Sequence, residues 1–153
     1  MIYIRGQAAA EYLILIAIVL IISLIGIVLL SGFSDSSATA MESESKTYWS
    51  STRPFAIVEW VQSNSTLYLK IKNTDTKRLI LKSLKAGNFS ASLGSGWTFG
   101  PGAEKTISIS GLTQCSPNYD YFSYNIVLYY DSAEISNLSQ VGVRPIAGRC
   151  LYD

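Results

Sequence analysis

The sequence predicts an α+β fold: a long hydrophobic N-terminal helix followed by an all-β, immunoglobulin-like sandwich. One observation is an apolar run, Tyr12–Leu30, interrupted only by Ser23 and Gly26. Another is the change after Pro54 to short segments rich in β-branched and aromatic residues. A third is the regular punctuation of those segments by Asn, Asp, Gly and Pro, the spacing expected of short strands stacked in two layers.

The elements follow in chain order. Met1–Gly6 is a short leader whose one charge is Arg5. At about 1.5 Å per residue, Tyr12–Leu30 reaches close to the ~30 Å of a bilayer's hydrocarbon core, so it is expected to span a membrane. Arg5 lies before the run and Asp35, Glu42 and Glu44 after it, which places the N-terminus in the cytoplasm by the positive-inside rule. An ordinary secretory signal does not fit, because the run is too long and no small-residue cleavage site follows it beyond Ser31-Gly32. From Ser31 the composition turns small and polar. Ala38, Met41, Tyr48 and Trp49 nevertheless share a helical face, so the helix is expected to continue to about Trp49, with a break near Gly32. The domain reading is therefore 1–6 leader, 7–50 helix and 51–153 external β domain.

The strands are expected at Phe55–Trp60, Thr66–Lys72, Arg78–Lys85, Phe89–Leu93, Trp97–Phe99, Glu104–Ser110, Tyr121–Asp131 and Leu138–Pro145, six to eight in all. Leu67, Leu69 and Ile71 alternate with Tyr68, Lys70 and Lys72, the pattern of a half-buried strand; Ile107 and Ile109 repeat it. Tyr121–Asp131 is apolar on both faces and reads as one central strand. Asn64-Ser65, Asn73-Thr74-Asp75, Gly94-Ser95-Gly96 and Gly100-Pro101-Gly102 read as turns.

Composition narrows the function. Twelve Lys and Arg oppose eleven Asp and Glu, so bulk charge gives no case for nucleic acid. Histidine, the commonest general base and metal ligand, is absent. No nucleophile–base pair, phosphate loop or ligand cluster stands out, and neither catalysis nor a cofactor or metal is expected. Cys115 and Cys150 form no CxxC, and in an external domain they are expected to pair across a long loop. Asn64, Asn88 and Asn137 each open an N-x-S/T sequon beside an expected turn and are possible N-glycosylation sites. Lys70, Lys72, Lys77, Arg78, Lys82 and Lys85 face Asp75 alone over that stretch; they are read as solvent-facing lysines on strands rather than as a ligand patch. Tyr119, Tyr121, Tyr124, Tyr129 and Tyr130 are likewise read as structural.

The informative block is Arg5-Gly6-Gln7-Ala8-Ala9-Ala10-Glu11-Tyr12-Leu13-Ile14-Leu15. A carboxylate bordering an apolar helix is costly and needs a partner. Cleavage after Gly6 would leave a free amine at Gln7, four positions before Glu11. In a staggered bundle the amine of one chain can meet Glu11 of the next, neutralising both charges and fixing axial register. These residues resemble the class III signal peptides of archaeal type IV-like pilins, Q-x-S-x-E-x-x-x-L after the cleavage-site Gly. Gln7, Glu11 and Leu15 match, and Ala9 stands where Ser is usual. The resemblance covers the first thirty or so residues and points to adhesion pilins rather than motility subunits.

It implies a type IV pilin-like fold, cleavage between Gly6 and Gln7 by prepilin peptidase, and Glu11 as the assembly carboxylate. It further implies a membrane-held precursor, a pilus assembly ATPase and membrane platform as partners, and a homo-oligomeric helical filament at the cell surface. Two other readings remain open at this point. One is a monomeric membrane-anchored surface binding domain, with Glu11 an interfacial carboxylate. The other is a minor pilin or pseudo-pilin.

Overall fold

The computed structural model describes residues 4–94, 96–117 and 120–151, with backbone alone at 4–8 and 31–37. Its first element, α1, is helical over Ile4–Ser51. The break expected near Gly32 is not found. The chain divides into two compact units, Met1–Ser37 and Ala38–Asp153.

In the first unit, Ala9–Leu30 has a mean hydropathy of 3.5 and none of it is buried. Its large side chains are exposed around the whole circumference, Leu13 to 65%, Val19 to 62% and Leu30 to 71%. A helix apolar on every face has no polar side to turn to water, so it calls for lipid or other helices. Each Leu or Ile so covered contributes about 1.5–3 kcal/mol.

The second unit holds ten strands among the described residues: β1 Phe55–Ser63, β2 Thr66–Asn73, β3 Leu79–Ala86, β4 Phe89–Ser92, β5 Thr98–Phe99, β6 Glu104–Ser110, β7 Tyr121–Tyr124, β8 Ile126–Ser132, β9 Leu138–Val141 and β10 Ile146–Leu151. One sheet runs β6-β2-β1-β10-β7, the other β4-β3-β8-β9 with β5 paired to β3. The inner faces share one core. Leu67, Leu69, Ile71, Ile107 and Ile109 come from the first sheet; Leu79, Leu81, Leu84, Ile126 and Leu128 come from the second. In β3 the alternation would fail after Leu81. A register shift between Leu81 and Ser83 restores its phase, so Leu84 and Ala86 point inward and Lys82 and Lys85 outward.

Three expectations need correction. Tyr121–Asp131 is two strands, not one: β7 edges the first sheet and β8 sits inside the second. The chain changes sheets at Asn125, whose carbonyl accepts a hydrogen bond from Gly87 N at 2.8 Å. Phe122, Ile126 and Leu128 all stay buried through the crossing, because both sheets bound the same core. The last strand does not close at Pro145. β10 follows it and lies parallel to β1, with Gln62 opposite Cys150 and Ser63 opposite Leu151. The strand count therefore exceeds the six to eight expected.

Asn73, read only as a turn residue, is a fully buried hub. Its Nδ2 donates to the carbonyls of Lys77, Phe99 and Gly100 at 2.8, 3.2 and 3.0 Å, and its Oδ1 accepts from Asp75 N at 2.8 Å. One side chain thus ties the β2–β3 and β5–β6 connections together.

Cys115 and Cys150 are joined in a disulfide across a sequence separation of 35. It pins β10 to the connection after β6, beside a parallel pairing of only those two register positions. On the chain-entropy model a loop of this length is worth about 3–4 kcal/mol. Cys150→Ser is expected to lower unfolding stability by roughly that amount, read as a fall in the urea midpoint of the solubilised chain.

Candidate functional site

Gly6 and Gln7 lie in the helical backbone of α1, while Met1–Tyr3 of the leader lie outside the described residues. Ala9, Glu11 and Leu15 are all exposed. Glu11 and Leu15 are one turn apart and share a face, and Gln7 precedes them at the same spacing. From Gly6 to Ser34, Glu11 is the only charged residue. The arrangement is a lone carboxylate near one end of an uncovered apolar helix. In lipid such a group gains by pairing with a cation.

The part of α1 in the second unit is held by directed contacts with the β9–β10 connection. Ser45 Oγ donates to Pro145 O at 2.7 Å, and Trp49 Nε1 donates to Arg144 O at 3.0 Å. Tyr48 Oη accepts from Val143 N at 2.9 Å, and Arg144 pairs with Glu44 at 2.9 Å. Tyr121 Oη donates to Ala38 O at 2.6 Å. Burial raises the Tyr121 hydroxyl's pKa, with a further push from the Glu42 carboxylate. The helical face differs from the expected one. Ser45 and Trp49 are buried and Ala38 and Tyr48 partly so, while Met41 is exposed. Ser45 carried no apolar signal in the sequence; its hydroxyl is buried because it has a carbonyl to bond.

The sequon asparagines Asn64, Asn88 and Asn137 are exposed, each at a bend between strands. Asn64 and Asn137 have φ of 52° and 59°, the left-handed region that Asn tolerates in tight turns. Asn64 sits beside the disulfide: its N–H donates to Leu151 O and its carbonyl accepts from Cys115 N. The Asn137 N–H donates to Asp131 Oδ1 at 2.9 Å.

Four of the six basic residues of this stretch are matched by acids elsewhere in the second unit. Lys70 lies 3.6 Å from both Glu59 and Glu104, Lys72 3.1 Å from Glu104, Lys77 2.8 Å from Glu134 and Lys82 3.1 Å from Asp131. Among the clustered tyrosines, Tyr130 packs edge-on against Phe55 and Tyr124 stacks on Phe122, whereas Tyr129 is exposed. Tyr119 lies outside the described residues. Among the described residues no His, Cys, Asp or Glu cluster is suited to a metal.

These pairs set an acid limit. The Asn137 N–H, and then Lys82, hold the Asp131 carboxyl below its ordinary value. The Lys72 ammonium does the same for Glu104. A depressed carboxylate stabilises the fold above its unfolded pKa, and that gain is lost as pH falls through the folded value. The thermal midpoint is therefore expected to hold above about pH 4–5 and to drop below it. Asp131→Asn should flatten that drop, because the amide does not titrate.

Comparison with protein-family models gives no match, and neither does comparison with curated protein sequences.

Proposed function

We propose that this chain is the precursor of a structural subunit of an archaeal type IV-like adhesion pilus. Prepilin peptidase cuts between Gly6 and Gln7, and the chain assembles through its N-terminal helix. The reading is carried by Glu11: a single carboxylate four residues after Gln7, on a helix that is apolar and exposed on every face. The helix resides in the membrane with its N-terminus cytoplasmic before assembly. Afterwards the released Gln7 amine of one subunit neutralises Glu11 of its neighbour. An immunoglobulin-like arrangement of the two sheets, closed by the disulfide, completes the pilin-like subunit. Asn64, Asn88 and Asn137 are its glycosylation sites, placed on exposed turns where a glycan meets no core residue.

The test is the N-terminal peptide of the native protein, read by mass spectrometry on sheared surface filaments and on membranes separately. A peptide beginning at Gln7 and enriched in the sheared fraction is expected. Retention of Met1–Gly6 in a protein confined to membranes would instead make the chain a permanently anchored surface domain.

A further inference from the structure

Val143 is 82% exposed, the highest value for a large apolar side chain among the described residues, and nearby Val141 is 63% exposed. The segment is not loose. Gly142 N donates to Ile126 O at 2.9 Å, and Val143 N donates to Tyr48 Oη at 2.9 Å. Arg144 O and Pro145 O accept from Trp49 Nε1 and Ser45 Oγ. All four residues of this strap are tied to the fold, so Val143 is held out in water. An apolar knob fixed this firmly loses little freedom when something covers it.

A hollow lies elsewhere on the same unit. A cavity of about 390 Å³ is lined in part by Val58, Trp60, Val61 and Tyr68, and by the charged Lys46, Glu59 and Lys70. It lies at the register shift between Ile57 and Glu59, where Val58 and Glu59 are both exposed instead of alternating. Trp60 Nε1 donates to Ala147 O at 2.8 Å, so its indole is fixed and offers the cavity an apolar surface. Lys46 pairs with Glu42 at 2.7 Å, and Lys70 lies 3.6 Å from both Glu59 and Glu104. With its lysines matched, the cavity favours an uncharged, apolar occupant.

We infer that a second copy of this chain fills the cavity with its Val143. The charges at the two surfaces suit one another. Arg144 follows the knob, and its guanidinium bears five donors, so the bond from Nη1 to Glu44 leaves it able to meet a second carboxylate. Glu59, with a side chain 76% exposed, is that carboxylate. Knob and cavity share no residue, so the contact is heterologous. Each copy gives its knob to one neighbour and its cavity to another, which builds rings or open filaments rather than closed pairs. One valine is a small contact, and it acts where a membrane already holds the copies close. The inference rests on the reading that copies associate, but not on leader cleavage or on Glu11.

The test uses the full chain, leader uncut, reconstituted in lipid vesicles, so the outcome is separate from that of cleavage. Cys115 and Cys150 are joined, so a short bis-maleimide reacts only with introduced cysteines. A mixture of Val58→Cys and Val143→Cys chains is expected to give cross-linked dimer at about ten times the yield of an Ile135→Cys and Val143→Cys mixture. Ile135 is exposed and does not line the cavity. A chain carrying both Val58→Cys and Val143→Cys should give a ladder of trimers and longer species. Glu59→Gln should lower the dimer yield about two- to fivefold. Equal yields from the two mixtures would reduce the contact to random collision and overturn the inference. Val143→Cys chains that cross-link as well alone as with Val58→Cys would overturn it too, since the contact would then be knob to knob.

Discussion

Glu11→Ala is expected to leave the protein inserted in the membrane and to abolish filaments. Insertion depends on the summed hydropathy of Ala9–Leu30, to which a carboxylate contributes unfavourably, so alanine there makes insertion easier. Assembly depends on something else. Apolar helices packing in a bundle slide past one another at little cost, because Leu, Ile and Val recur all along the run. On the proposed assembly, a pairing of the Gln7 amine with Glu11 would distinguish a single stagger from its neighbours. Removing the carboxylate also leaves the amine without its partner in a low-dielectric setting, a penalty of roughly 3–5 kcal/mol per subunit interface. That is a factor of roughly a hundred to several thousand in each association step. Glu11→Asp keeps the charge but shortens its reach and should give few or short filaments; Glu11→Gln should behave like alanine. The measurement is electron microscopy of sheared material alongside immunoblots of the membrane fraction. Filaments of normal length and number from Glu11→Ala would remove the basis for the register mechanism and, with it, the main support for a pilin.

How far the sequence reveals this molecule depends on whether a feature is local. The apolar helix, the alternation of Leu67, Leu69 and Ile71, and the inward Ile107 and Ile109 follow from period alone, and the structure has them. The pairing of Cys115 with Cys150, expected for an external domain and not from period, is also present. Tyr121–Asp131 was misread for a physical reason. Its even-numbered residues point to one core throughout, and nothing in the side-chain pattern records that the strand leaves one sheet for the other. β10 was missed because Gly148 and Arg149 dilute its pattern and Pro145 reads as a stop. In the fold, Pro145 lies just before the strand, where a missing N–H is harmless, and Gly148 lets the Phe122 ring approach, since a Cβ there would come within 3.2 Å of its Cζ. Gln62 and Asn73 were invisible as buried polar centres, because their partners are backbone carbonyls distant in the chain. The Gly6-Gln7-Glu11-Leu15 constellation was legible only as a motif, and the chemistry proposed for it would rest on neighbouring chains.

Gly142→Val is expected to be the most damaging single change in the strand domain, although Gly142 is only partly buried and lies in a connection. A Cβ at this position would overlap Trp49 Cζ2 and come within 2.6 Å of its Cη2, with Arg144 O at 3.3 Å on the other side. The indole has no easy retreat. It is fully buried, and its Nε1 is bound to Arg144 O. Overpacking of this kind costs about 1–3 kcal/mol, and displacing Trp49 from the core adds a loss toward the 3–5 kcal/mol typical of Trp truncation. Together these approach the stability of a domain this size, so Gly142→Val should be unfolded or nearly so, and Gly142→Ala should lose about 2–4 kcal/mol. Trp49→Phe makes the cause testable. It loses the hydrogen bond and some packing by itself, but it vacates the space that a Cβ at 142 needs. If the clash is the mechanism, Gly142→Ala should cost clearly less in a Trp49→Phe background than in the native one, a coupling on the order of 1 kcal/mol in a double-mutant cycle read from urea midpoints. Strictly additive costs would mean that Gly142 matters for its own backbone and not as the seat of Trp49. Because Ser45, Tyr48 and Glu44 contact the same four-residue strap, such coupling would identify Gly142–Pro145 as the place where the strand domain grips its helix.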